Sequence, residues 1–539
     1  MTLFRRSLGA YRTGTIATAI ICAVGGILNG VGYVEVAGTS PAERLAFAHQ
    51  MELLGRQLSY FLPQPVQLET LGGYLTWRSF GSLAIVYAVW AMLAGTGTGR
   101  GDEDKGLVEA WLAAGVSRSK WMLSRATAFL VVAMLSIAIG FAGTAVGAIA
   151  VNEALPFGAL ALEGVAMLAL SLAAYGVGLL AAQLVATRRS ASAIGGVVLV
   201  ILFSVNSMLR AGTDPGAVKW LSPFYLFDRS APLLRGGSLD GPGTLGSFGT
   251  AIALAAVAAW AFARRDIGAA LVRARGGIAR RTARSSRDPF LRVPVLAAID
   301  QQRGWIAGWA IALAALAYFL TSLARTVVDS LREIPSMQVY FERAGIGTYA
   351  DVIGVIWFST ALLLLSFFVV AQVNAWAGDD VEGRLETMLA AGASHARVVL
   401  ERIAALLVAA AIVALASIAG IWIATKAFDI AVPADRLIVA TLLLLPVVFA
   451  LGAVGHALVG WRPRVAVMLL GTVAVVSYFL QEFAPLFGWP DWVAKLSFFV
   501  LYGQPVSTVD WSGTATLTAI GIVGTAVALG SMRRRDVGR

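Results

Sequence analysis

The sequence predicts an all-α polytopic membrane protein with twelve transmembrane helices, and three observations carry that prediction. Of the 539 residues, 58% are hydrophobic and only 14% charged, against roughly 45–50% and 25% in an ordinary soluble domain. That surplus exceeds what a water-soluble core hides, which excludes a soluble globule, a disordered chain and a fibrous repeat. The apolar residues also gather into twelve runs of about 17–27 residues, each long enough to cross a bilayer as a helix. Finally, the single cysteine, Cys22, lies inside such a run, leaving no disulfide framework and no thiolate metal cluster.

In chain order the runs cover 14–34, 79–96, 126–151, 164–187, 191–209 and 245–263, then 304–324, 352–378, 403–425, 437–461, 465–481 and 512–532. The first is too long for a signal-peptide core and no small-residue cleavage site follows it, so it is expected to be retained. None of the twelve contains Asp, Glu, Lys or Arg. Ion-coupled carriers use ionisable groups at membrane depth, so this absence argues against a secondary transporter. A non-transporting scaffold or sensor is the third reading.

Charge sets the orientation. The net charge is +11, from 42 Lys+Arg against 31 Asp+Glu. With a cytoplasmic N-terminus, 29 of the 42 basic residues fall on the cytoplasmic side. The positive-inside rule then places both termini inside, and the expected location is a bacterial inner (cell) membrane. The densest basic stretch runs from Arg264 to Arg292 and includes Arg273, Arg275, Arg280, Arg281, Arg284 and Arg287. It reads as a central cytoplasmic loop against anionic lipid headgroups. Apart from Phe290 no aromatic residue interleaves it, so no nucleic-acid partner is expected.

The chain carries an internal repeat. Residues 102–125 and 379–402 align at a constant offset of 277 with 10 of 24 positions identical. Leu221-Ser222-Pro223-Phe224-Tyr225-Leu226 resembles Leu496-Ser497-Phe498-Phe499-Val500-Leu501 at offset 275, and Arg264–Gly268 resembles Arg534–Gly538 at offset 270. A slowly shrinking offset is the mark of a tandem duplication with small loop deletions. It predicts two six-span halves, 1–267 and 304–539, joined by a basic linker at 268–303. An even number of spans inserts both halves the same way up, with a pseudo-twofold along the membrane normal.

The repeated loop has a legible local structure. Acidic residues open each copy (Asp102, Glu103 and Asp104; Asp379 and Asp380) and suit a helix N-terminus with its partial positive charge. Gly106 and Gly383, then Glu109 and Glu386, hold matching positions. Apolar residues follow at helical spacing: Val108, Trp111 and Leu112, against Leu385, Met388 and Leu389. Gly115 and Gly392 stand where a helix stops, and Ser117 and Ser394 where the next begins. Arg118 and His395 follow at the start of that helix, and Arg125 and Arg402 mark the membrane entry. Each copy reads as a short amphipathic helix, a glycine elbow and a new helix, and the pair as two docking points for a two-fold partner.

The glutamate, the Leu-Ala-x-Gly-x-Ser stretch and the downstream arginine resemble the cytoplasmic loop of type-2 ABC exporter permeases. The tandem twelve-span form resembles the fused permeases of the polyketide-antibiotic and multidrug exporter group in actinobacteria. The resemblance implies that 102–117 and 379–394 are coupling segments docking two copies of a separate ABC ATPase. It also implies that 221–226 and 496–501 are extracellular re-entrant elements. Phe498 replaces the proline in the second of these, which leaves its shape open.

The chain cannot carry that ATPase itself. A phosphate-cradling loop needs a Gly-Lys pair, and none precedes Lys105, Lys120, Lys219, Lys426 or Lys495. ATP and magnesium are therefore expected on the partner, with no cofactor, catalytic residue or metal in this chain. Gly95-Thr96-Gly97-Thr98-Gly99-Arg100-Gly101 misses the dinucleotide-binding spacing and reads as a flexible lead-in to the loop. With uncharged walls, the route suits a hydrophobic or amphipathic small molecule. By the resemblance, the second and fifth spans of each half face it, which nominates Tyr87, Trp90, Phe203, Asn206, Trp357, Phe358, Tyr478 and Phe479. His456, inside a span, reads as a packing residue or part of that route. The stretch from Leu45 to Phe61 is amphipathic and suits the membrane surface.

Overall fold

The computed structural model describes residues 2–57, 63–210, 212–271, 292–332, 349–381, 383–485 and 487–534. The basic cluster from Arg273 to Arg287 lies outside them, as do Arg535–Gly538 of the third repeated segment. Among the described residues the regular structure is helical, and twelve helices are long and apolar enough to cross a membrane. The chain divides into two compact units, Met1–Ala279 and Arg280–Arg539.

In the first unit α1 is Thr2–Ala37, α2 Pro41–Gln57 and α3 Leu71–Gly101; α4 is Leu107–Ala113 and α5 Arg118–Ala150. Then come α6 Phe157–Leu184, α7 Arg188–Arg210, α8 Pro223–Asp228 and α9 Gly241–Arg264. Hydrocarbon offers backbone groups no partners, so each crossing segment closes its own hydrogen bonds as a helix. Small residues then decide which helices touch. A Cβ on Gly26 would lie 2.8 Å from the Thr144 nitrogen, and one on Gly147 2.7 Å from the Ile27 carbonyl. These glycines therefore let α1 and α5 meet backbone to backbone, the small-xxx-small logic of membrane helices. The short α2 begins with a capping box: Ser40 Oγ accepts from the Glu43 amide while Glu43 Oε2 accepts from the Ser40 amide.

The second unit holds α10 Pro294–Arg332, α11 Tyr349–Val381, α12 Arg384–Ala390, α13 His395–Ala427 and α14 Ala434–Trp461. After these follow α15 Pro463–Phe483, α16 Asp491–Ala494, α17 Phe498–Tyr502 and α18 Trp511–Arg534. Here α10 packs on α13, where a Cβ on Gly420 would sit 2.8 Å from the Ala314 carbonyl carbon. Likewise α14 packs on α18, with Gly524 against Ala453.

Two expectations need correction. The fourth span does not start at 164: α6 continues back to Phe157, where Pro156 precedes it, and so takes in Glu163. The spans are therefore not free of ionisable residues: other helices also run past their charge-free stretches, taking in Arg12 and Glu35 of α1, Arg78 of α3 and Asp351 of α11, and that argument against an ion-coupled carrier weakens. Nor is Gly95–Gly101 a flexible lead-in. It ends α3 in a π-helical stretch, Gly97–Gly101, whose Thr98, Gly99, Arg100 and Gly101 are buried. A Cβ on Gly95 would lie 2.8 Å from the Leu179 nitrogen, so the glycines serve close packing on α6.

Candidate coupling and transport site

The two repeated loops take the same local form. Helices α4 and α12 each have seven residues, and α5 and α13 each have 33, with every boundary 277 residues apart. Gly106 and Gly383 precede the short helices at φ +67° and +76°, a left-handed conformation that costs a glycine little. Gly115 and Gly392 follow at φ +84° and +89°. Ser117 and Ser394 then accept from the Lys120 and Arg397 amides, capping α5 and α13. On the short helices Val108 and Leu385 are buried, and Leu112 and Leu389 pack partly buried on the core. Glu109 and Glu386 point away, exposed.

The acidic residues, however, do not sit at a helix N-terminus. Asp102 follows the last turn of α3, and Asp379 and Asp380 lie in the last turn of α11. There the helix carries a partial negative charge, so the carboxylates need cations. Arg125 reaches Asp102 at 2.5 Å, and Arg402 reaches Asp380 at 3.3 Å and Asp379 at 3.5 Å. The arginines expected at the membrane entry are thus tethers between the loop's start and the helix that leaves it. Burial pushes the Asp102 carboxyl above the ordinary carboxylate range, while Arg125 pulls it back.

Glu103 belongs to a network that sequence reading missed. It is buried, receives Arg100 at 2.7 Å and pairs with Arg265 beyond the end of α9, whose Nε donates to Gln183 at 2.7 Å. Arg118 also reaches the end of α9, donating to the Phe262 and Arg265 carbonyls at 2.7 and 2.6 Å. Glu103 and Arg118 therefore join the first loop to the sixth span instead of facing solvent. The only advance signal was the repetition of the Arg264–Gly268 segment. At the second loop His395 replaces Arg118 and its buried Nε2 has no partner.

At the opposite end of the unit from α4, Ser222 caps α8 by accepting from the Tyr225 amide and donates its hydroxyl to the Leu202 carbonyl at 2.7 Å. Ser497 does the same for α17, donating to the Ser477 carbonyl at 2.7 Å. Phe498 in place of proline leaves this anchor intact, because proline at the first helical position only pre-sets a φ that other residues also adopt. The second copy differs at its far end, where Gly503 at φ +70° stops α17 after five residues.

The nominated route residues are placed as follows. Tyr87 is buried and donates to the Ser136 carbonyl at 3.0 Å; Trp90, partly buried, lies against Tyr87 and Phe129. Phe203 meets Phe224 edge to face, and the buried Asn206 donates to Asp228 at 2.7 Å. Trp357 is buried with its indole nitrogen unpartnered, and Phe358 stacks on Tyr502. His456 is buried beside Trp376, both ring nitrogens without a partner. Tyr478 and Phe479 are half-buried and touch each other. The structure thus gathers Phe203 and Asn206 at α8 and Phe358 at α17, and sets Tyr87 and Trp90 against α5 and His456 against α11. Among the described residues no group of three or more His, Cys, Asp or Glu could hold a metal ion.

Against known proteins, a family model described as "Multidrug efflux system permease Rv1217c, C-terminal domain" matches residues 64–263 and 291–533. A relative from Mycobacterium tuberculosis, named multidrug efflux system permease protein Rv1217c, is 26% identical over 490 residues. That alignment covers 88% of this chain and 84% of the relative.

Proposed function

We propose that this chain, which belongs to the Rv1217c multidrug efflux permease family, is the membrane subunit of an ATP-driven exporter whose ATPase is a separate protein. The observation that carries this reading is the pair of seven-residue helices α4 and α12, 277 residues apart, each held between a left-handed glycine and a serine cap. Each is fastened to its neighbours by buried side chains and leaves one glutamate exposed. A helix that merely closed a loop would not need the same flanking geometry twice. As coupling helices, α4 and α12 each take one ATPase subunit, with Glu109 and Glu386 meeting basic groups on it. ATP and magnesium stay on that partner, both termini face the cytoplasm, and the substrate is a hydrophobic or amphipathic compound leaving the cell.

An exposed surface charge changes stability by no more than about 0.5 kcal/mol. A carboxylate that pairs across an interface costs roughly 2–5 kcal/mol when its partner is left buried and unpaired. Glu109→Lys and Glu386→Lys should therefore leave expression and insertion intact but each impair ATP-dependent transport. The double variant should lose the ATPase in pull-down. Normal transport by the double variant with its ATPase still bound would make α4 and α12 ordinary surface helices.

A further inference from the structure

Glu163 has no role in the reading above. It is 1% exposed, and its Oε2 has no hydrogen-bond partner. It lies about 9 Å into α6 at a rise of about 1.5 Å per residue, at the end of the unit that carries α8. On the helices packed against α6, Ser207 of α7 and Thr244 of α9 are likewise buried with unpartnered hydroxyl oxygens near that same end. Asp228, at the end of α8, acts electrostatically on Glu163. Its own charge is balanced by Arg210, at 2.5 and 2.7 Å, and it also accepts from Asn206.

Arg210 is engaged with Asp228, and among the described residues no salt bridge reaches Glu163. Burying a carboxylate away from water is unfavourable without a partner, so this position is either neutral or completed by a cation from outside the described residues. Apolar side chains are at hand at this end of the unit: Ile137 and Phe141 beside Gly164, the next residue of α6, and Phe203 of α7 against Phe224 of α8. The arrangement is confined to the first unit, since the residues 275 positions on from Glu163, Asn206, Arg210 and Asp228 are Ile438, Gln481, Pro485 and Gly503.

We propose that Glu163, flanked by the Asp228–Arg210 pair, is the acceptor for the positive charge of a lipophilic cation, making this permease selective for cationic amphiphiles. The proposal rests on the efflux reading and specifies its substrate class. Phenyl groups meet the surrounding apolar side chains while the charge pairs with the carboxylate, an interaction that strengthens as water is excluded. Binding involves no covalent step.

The test is equilibrium binding to the purified chain in lipid nanodiscs, without ATPase or nucleotide, so its outcome does not depend on how transport is powered. Tetraphenylphosphonium serves as the cation and triphenylphosphine oxide as a neutral molecule of related shape. Glu163→Gln should weaken tetraphenylphosphonium binding about tenfold or more and leave the neutral probe within about twofold. Glu163→Asp, which keeps the charge, should retain most of the affinity for the cation. The proposal is overturned if wild type does not bind the cation, if the Gln variant binds it normally, if both probes weaken together, or if Asp fails as badly as Gln.

Discussion

At the scale of single residues, the loop's tethers can be weighed. Arg125 is nearly buried against Asp102 and lies over the Trp121 ring at 5.6 Å. Removing one partner of a buried pair costs about 3–5 kcal/mol because the other charge is stranded. The sign of the pH dependence follows from Asp102, whose carboxyl burial already raises above the ordinary range. A raised carboxyl favours folding most below its unfolded value of about 3.9, and that contribution is lost as pH rises through the folded value. Without Arg125 the folded value climbs further. Arg125→Met should therefore lower the unfolding midpoint strongly at pH 8 and less at pH 5, since lower pH favours the protonated Asp102 that needs no partner. Thermal unfolding in nanodiscs at the two pH values checks this, and an equal deficit at both would reduce Arg125 to packing.

Elements show where sequence reading succeeds and where it stops. The caps of α4, α5, α12 and α13 were legible because a left-handed turn asks for glycine and an exposed helix start asks for a hydroxyl, both local demands. The Glu103–Arg265 pair was not, since its partners are 162 residues apart and the repeats that mark each one say nothing of their pairing. Glu163 was hidden for another reason. A charge-free run ends at the first carboxyl, whereas the helix continues until proline interrupts it. Glycine contacts between helices were equally silent in composition, yet they decide the packing. A Cβ on Gly143 would lie 2.6 Å from the Ala23 Cα, with backbone that cannot turn aside. Gly143→Leu should force α1 from α5 and cost about 1–3 kcal/mol or more, read as a lower unfolding midpoint. Gly158→Leu, with open space around it, should be nearly silent.

For the whole molecule, the twelve crossing helices were readable from hydropathy because hydrocarbon tolerates little else, and family membership adds the efflux role. What drives efflux is the central claim. Two loops of one form on a single chain should let one permease engage two ATPase subunits, where a six-span permease must pair with a second copy. The most direct measurement is native mass spectrometry of the permease purified from cells together with whatever ATPase accompanies it. The account predicts one copy of this chain with two ATPase chains, falling to none when Glu109 and Glu386 are both changed to Lys. A stable, transport-competent assembly with two copies of this chain, or with no ATPase at all, would contradict it.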